Sequence, residues 1–168
     1  NVQVRAICDA DEALFAPALK LVEERSDVKP AANWDLRVIL DDQEIHAVSI
    51  VTPTHWHALA AIWASQAGKH VYVEKPLTHS YREASLLMKA ETKYNVVTQM
   101  GNQGHTSTGS VQFQDMVKAG IIKDITMVEA WKTPGLWFMN KEQRIADYPP
   151  EEPKPATLDW DLWCGPAE

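Results

Sequence analysis

The stretch IHAVSIVTPTHWHALAAIWASQAGKHVYVEKP, residues 45–76, decides the fold. Residues 45–51 form a near-continuous β-branched run, the pattern of a strand buried on both faces of a parallel sheet. Pro53 stops that strand, and Thr54 is placed to cap a helix over residues 55–67. Gly68 stands at the position where a helix turns back, and residues 70–73 (HVYV) read as the next strand. A strand, a helix and a strand joined by short turns make one right-handed parallel unit.

The same alternation continues in both directions. Upstream, residues 1–9 alternate Val2, Val4, Ala6 and Cys8 with Gln3, Arg5 and Ile7, a strand pattern. Asp11-Glu12 then opens an amphipathic helix with Leu14, Ala18, Leu21 and Val22 on one face. Residues 34–41 read as a short helix or turn. Downstream come a helix over residues 80–94, a strand over 96–100, a helix over 107–119 ended by Gly120, and a strand-like run over 125–131. The order is that of a doubly wound α/β sheet. After Lys132 the pattern dissolves into an acidic, proline-rich segment and then LDWDLWCGP.

The whole chain has 168 residues, a net charge of −7 and 45% hydrophobic residues, a globular composition. Its acidity, without a clustered Lys/Arg stripe, argues against nucleic acid as a partner. No apolar run has the ~18 residues of a membrane span. Cys8 and Cys164 fit neither a metal cluster nor a disulfide framework, and Trp163-Cys164-Gly165-Pro166 has Ala167 where a redox motif needs its second thiol.

Ligands of open α/β sheets lie beyond the carboxyl ends of the strands, so the residues there are the candidate site. Asp9 follows the first strand, where a carboxylate can hold the two hydroxyls of an adenosine ribose and repel a 2′-phosphate; it can equally cap a helix. Thr52, Pro53, Thr54, His55 and His57 follow the second strand, and Gly101, Asn102, Gln103 and His105 the fourth. Glu74-Lys75-Pro76 follows the third: a lysine fixed there can hold a hydroxyl and share its proton, or form an exposed ion pair at a turn. The spacing of His55 and His57 puts them on different helix faces with no third ligand nearby, so no metal is expected. Trp131, Trp137, Trp160 and Trp163 can stack on a ring or fill an interface.

Residues 45–76, with their Thr-Pro…His turn, Ala-Gly-Lys-His step and Glu-Lys-Pro turn, resemble the Gfo/Idh/MocA family of NAD(P)-dependent oxidoreductases. The GNQGH loop and the LDWDLWCGPAE tail look like a bacterial subgroup of it, and the likeness covers essentially the whole chain. The resemblance implies an NAD cofactor in preference to NADP, with Asp9 on the adenosine ribose. Thr52, Pro53 and His57 would then lie along the pyrophosphate and nicotinamide ribose, Glu74 on that ribose, and Asn102 and Gln103 near the nicotinamide. It makes Lys75 the catalytic lysine, with His105 a further catalytic candidate. It further implies a sugar, polyol or inositol substrate oxidised at a secondary hydroxyl, and a homo-oligomer. The alternatives are glycosidic-bond cleavage through transient oxidation, or a non-catalytic nucleotide-binding module.

The departures from the family are as informative. The family opens on a strand and a glycine-rich turn, whereas the first strand here matches the family's second. In the family's strand order the absent strand lies between the strands of residues 1–9 and 45–51. The expectation is therefore a Rossmann-like sheet lacking its first strand over residues 1–123. The start of a second, α+β substrate domain would occupy residues 124–168, in a piece of a protein at least about twice as long that by itself binds NAD poorly.

Overall fold

The computed structural model describes residues 2–131 and 150–167. They form two compact units, residues 1–102 with 154–168, and residues 103–153. In the first unit five strands, β1 (Ala6–Cys8), β2 (Ala31–Asn33), β3 (Ala47–Ile50), β4 (His70–Glu74) and β5 (Thr98–Gly101), alternate with four helices. These are α1 (Phe15–Glu23), α2 (Leu36–Asp41), α3 (His57–Gln66) and α4 (Tyr81–Tyr94). Strand β2 was not anticipated: Ala31-Ala32-Asn33 carries no β-branched signal, and it forms by pairing with β1.

All pairings between the named strands are parallel. β1 pairs with β2, and β3-β4-β5 form a separate sheet, so β1 and β3 are not hydrogen-bonded to each other. The division falls where the strand order placed the absent strand. The burial expected of residues 45–51 is also corrected. In β3 only Ile50 is buried, while Ala47 and Ser49 are exposed, because the helices packed in the core cover the face that carries Val48 and Ile50 and not the opposite one.

The core lies between α3, α4 and the three-stranded sheet. Val71, Val73 and Ile50 from the strands meet Ala60, Ala61 and Ala64 of α3 and Leu87 of α4. The alanines let α3 approach the sheet closely, and removing a larger member such as Leu87 would cost about 2–5 kcal/mol. Helix α4 starts where the sequence put it, and Ser80 forms a capping box with Glu83 that the sequence reading does not name. Thr54 does not cap its helix; its hydroxyl is instead hydrogen-bonded to His79 Nε2 at 2.9 Å.

The first unit is closed by a short strap. Asp159 caps α6 (Trp160–Cys164), and Asp159 N–H donates to Ala10 O while Glu12 N–H donates to Thr157 O, at 2.9 and 3.0 Å. The strap thereby runs across the carboxyl end of β1. In the second unit, a 3-10 turn (Gln103–Thr106) leads into α5 (Thr108–Lys118), capped by Ser107. The strand expected over 125–131 is not formed: these residues are irregular, with Met127, Val128 and Trp131 well exposed, and no described strand pairs with them. Trp137 lies outside the described residues. No helix among the described residues is long and apolar enough to cross a membrane.

Candidate active site

Parallel strands put their carboxyl ends on one edge, and the chain places its polar residues there. Thr52 and Pro53 follow β3, Glu74 ends β4 with Lys75 next, and Asn102 follows β5. Asp9 follows β1 in the neighbouring sheet. Asp9 and Thr52-Pro53 line one cavity of about 570 Å³, within the size of small-molecule and cofactor sites. Its other walls are Trp56, Leu59, Ala60 and Trp63 on one face of α3, and the strap.

Asp9 is half-buried and its Oδ1 accepts from Asp11 N–H at 3.0 Å. The adjacent Asp11, not Asp9, caps the following turn by accepting from Ala13 N–H. Asp9 itself lines the cavity. Across from it Arg37 donates a fork to Asp35, Nε to Oδ1 at 2.9 Å and Nη2 to Oδ2 at 2.7 Å. That hydrogen-bonded guanidinium holds the Asp35 carboxyl below its usual range.

Cys8 also lines the cavity. Burial pushes its thiol up from near 9 to about 11, with the charges of Asp35 and Asp9 adding to the shift. A value raised by folding means that the folded chain keeps the proton more firmly than the unfolded one. The associated stability is complete below about pH 9 and is lost as pH rises toward 11. Denaturant midpoints measured across that interval should fall in the unsubstituted chain and fall less in Cys8→Ala; equal slopes would refute this placement of the thiol.

At β4, Lys75 is exposed and its backbone N–H donates to Glu74 Oε2 at 3.1 Å. Glu74 packs directly over the bare backbone of Gly101: a Cβ there would stand 2.7 Å from Glu74 Oε1 and 2.9 Å from the Tyr72 hydroxyl. Gly101 thus leaves room for this close approach, and a side chain at 101 would make the ends of the Glu74 and Tyr72 side chains shift. The sequence put Gly101 only in a loop; the parallel register opposing Glu74 to Gly101 supplies the reason.

His57 is placed differently from the rim residues. It is 1% exposed, with Nδ1 2.7 Å from Pro76 O and Nε2 2.9 Å from Thr52 O. Any influence on a ligand passes through the two backbone segments it touches. Gln103 and His105 belong to the second unit, in the 3-10 turn, and both are exposed. His55 joins the strap, its Nε2 donating to Trp163 O at 2.8 Å.

The tryptophans of the strap are now located. Trp160 and Trp163 stack on each other at 5.2 Å. Trp56 Nε1 donates to Leu162 O at 2.9 Å and Trp163 O at 3.2 Å. Trp56 and Trp63 are wall residues that sequence reasoning missed, their i, i+7 spacing being the available signal, whereas Trp163 of the strap was among the tryptophans expected to stack or fill an interface. Among the described residues no cluster of three His, Cys, Asp or Glu side chains could hold a metal ion, and both cysteines are free thiols.

The model of the oxidoreductase family with an NAD-binding Rossmann fold matches residues 1–102. The chain belongs to the Gfo/Idh/MocA oxidoreductase family. Among curated proteins, levoglucosan dehydrogenase of Pseudarthrobacter phenanthrenivorans is 46% identical over 63 residues, covering 38% of this chain and 16% of that protein. Glycosyl hydrolase family 109 protein 1 of Shewanella sp. is 28% identical over 146 residues, 84% of this chain and 32% of that protein. Among solved structures, levoglucosan dehydrogenase in complex with NADH and levoglucosan has a TM-score of 0.62 at 30% identity, over 70% of this chain and 30% of that one. Myo-inositol 2-dehydrogenase from Lactobacillus plantarum has a TM-score of 0.64 at 25% identity, over 72% and 34%. The chain spans about a third or less of the length of these relatives. Its Gfo/Idh/MocA membership accounts for the parallel, Rossmann-like sheets.

Proposed function

We propose that the protein carrying this chain is an NAD-dependent oxidoreductase acting on a secondary hydroxyl, or the corresponding ketone, of a sugar, polyol or inositol. The observation that carries the proposal is the meeting of Asp9 with Thr52-Pro53 around one cavity, with Glu74-Lys75 on the same strand-end edge as Thr52. This donor set suits a dinucleotide: a carboxylate for ribose hydroxyls at β1, and a threonine and an acid at the strand ends beyond. Asp35 occupies the fork of Arg37, which favours NAD over a cofactor bearing a 2′-phosphate. Asn102, and Gln103 and His105 of the second unit, remain candidates for the nicotinamide and substrate side.

When bound, NAD supplies the hydride acceptor. This chain's part is to orient and to move a proton. Glu74, held over Gly101 and by the Lys75 backbone, fixes the start of the turn. Lys75 then presents its side-chain nitrogen at the rim, where the neutral amine takes up the proton of a substrate hydroxyl in oxidation and the resulting ammonium returns it to the oxygen of a ketone in reduction.

The match to glycosyl hydrolase family 109 proteins over 84% of the chain favours a second reading, in which oxidation is transient and a glycosidic bond breaks. A panel of free sugars, inositols and aryl glycosides, given to the complete encoded protein with NAD, separates the two. Net NADH formed in step with ketone supports the dehydrogenase. Released aglycone without net NADH supports the hydrolase, and no reaction with any of them counts against both.

A further inference from the structure

His57 lies at the first position of α3, buried, between the exit of β3 and the turn after β4. Both contacts of its ring are backbone carbonyl oxygens, on opposite nitrogens: Pro76 O at 2.7 Å from Nδ1 and Thr52 O at 2.9 Å from Nε2. A carbonyl oxygen only accepts. A neutral imidazole has one N–H and one lone pair, so it satisfies one of these oxygens and turns a lone pair toward the other. Both distances are those of good N–H···O bonds, and rotating the ring by half a turn would set carbon against both oxygens.

We propose that His57 is a positioning residue that donates from both ring nitrogens, as an imidazolium, and so locks the exit of β3 to the Lys75-Pro76 turn. Burial and the positive end of α3 oppose a cation at this place. Two short charge-assisted bonds to carbonyl dipoles, in a site only 1% exposed, offset them. Other ionisable groups lie on the segments it joins. Glu74 and Lys75 flank the turn, His55 faces the strap through Trp163 O, and His79 bonds to Thr54. The ring itself is hydrogen-bonded to the two carbonyl oxygens.

The consequence for function rests on the oxidoreductase reading. Thr52 and Lys75 follow different strands, and beyond the last paired residues of β3 and β4 the ring bridges the two segments by its hydrogen bonds to Thr52 O and Pro76 O. Were the strut lost, Lys75 would shift relative to the β3 exit while Asp9, on another sheet, would stay in place.

Two measurements on the complete encoded protein test this. In the nitrogen-15-labelled, unsubstituted protein near neutral pH, a long-range proton–nitrogen correlation of the His57 ring, assigned against His57→Gln, should show hydrogen on both nitrogens. A ring with one unprotonated nitrogen overturns the proposal, whether or not any variant folds. In His57→Gln, kcat should fall by about tenfold to a hundredfold, the scale of a misplaced catalytic group, with NAD affinity within a few-fold. Unchanged kcat overturns the positioning role. Absence of turnover in the unsubstituted protein counts against the oxidoreductase reading instead, and the nitrogen spectrum then decides His57 alone.

Discussion

Lys75→Ala in the complete encoded protein is expected to lower kcat by about a hundredfold to ten-thousandfold, the range that a positioned acid–base group supplies, while NAD affinity stays within a few-fold. The asymmetry follows from where the residue stands. Its ammonium is exposed at the end of β4, whereas the carboxylate assigned to the ribose, Asp9, is on the separate β1-β2 sheet. Removing one leaves the other untouched. Lys75→Arg should not restore the rate, because a guanidinium holds an oxygen but does not exchange its proton near neutral pH. The measurement is steady-state kinetics beside calorimetric NAD binding. Turnover of the alanine variant within a few-fold of the original would remove Lys75 from the chemistry.

A large effect on stability is expected at Gly165, where the strap meets Trp56. Its φ of +49° is in the region that residues with a Cβ avoid, and a Cβ built there would overlap the Trp56 indole. Neither can be relieved alone. Gly165 N–H donates to Asp161 O at 2.9 Å, and the indole is fixed by its bonds to Leu162 O and Trp163 O. Gly165→Ala should therefore cost about 2–4 kcal/mol, combining backbone strain with overpacking. For a domain of this size that lowers the melting midpoint by roughly 5–15 °C. Gly109→Ala is the control: nothing lies within 4 Å of its Cβ position and it sits in the first turn of α5, so its midpoint should hold or rise slightly. Thermal unfolding followed by tryptophan fluorescence reads both. If Gly165→Ala melts with the unsubstituted chain, the strap is not docked on Trp56 as described.

Residues 45–76 were legible because several local signals agree in them: a β-branched run, a proline stop, a helix of alanines, a glycine past its end, and a second strand. The turn after β4 and the start of α4 are local for the same reason. Residues 125–131 were misread because alternation of apolar side chains describes a strand only when a partner strand supplies the ladder. Strand β2 was missed for the converse reason, since pairing with β1 makes a strand of residues with little preference for one.

What the sequence by itself determined was the alternation of strands and helices, the family, and the set of polar residues carried to the strand ends, all of which depend on neighbours along the chain. Only the tertiary structure decided how those residues are used. Gly101 is bare because Glu74 lies across it, Gly165 because Trp56 does, and the His57 ring meets two carbonyls contributed by segments on either side of a helix. Such requirements are set by atoms distant in sequence and close in space, and a residue's neighbours along the chain carry no record of them.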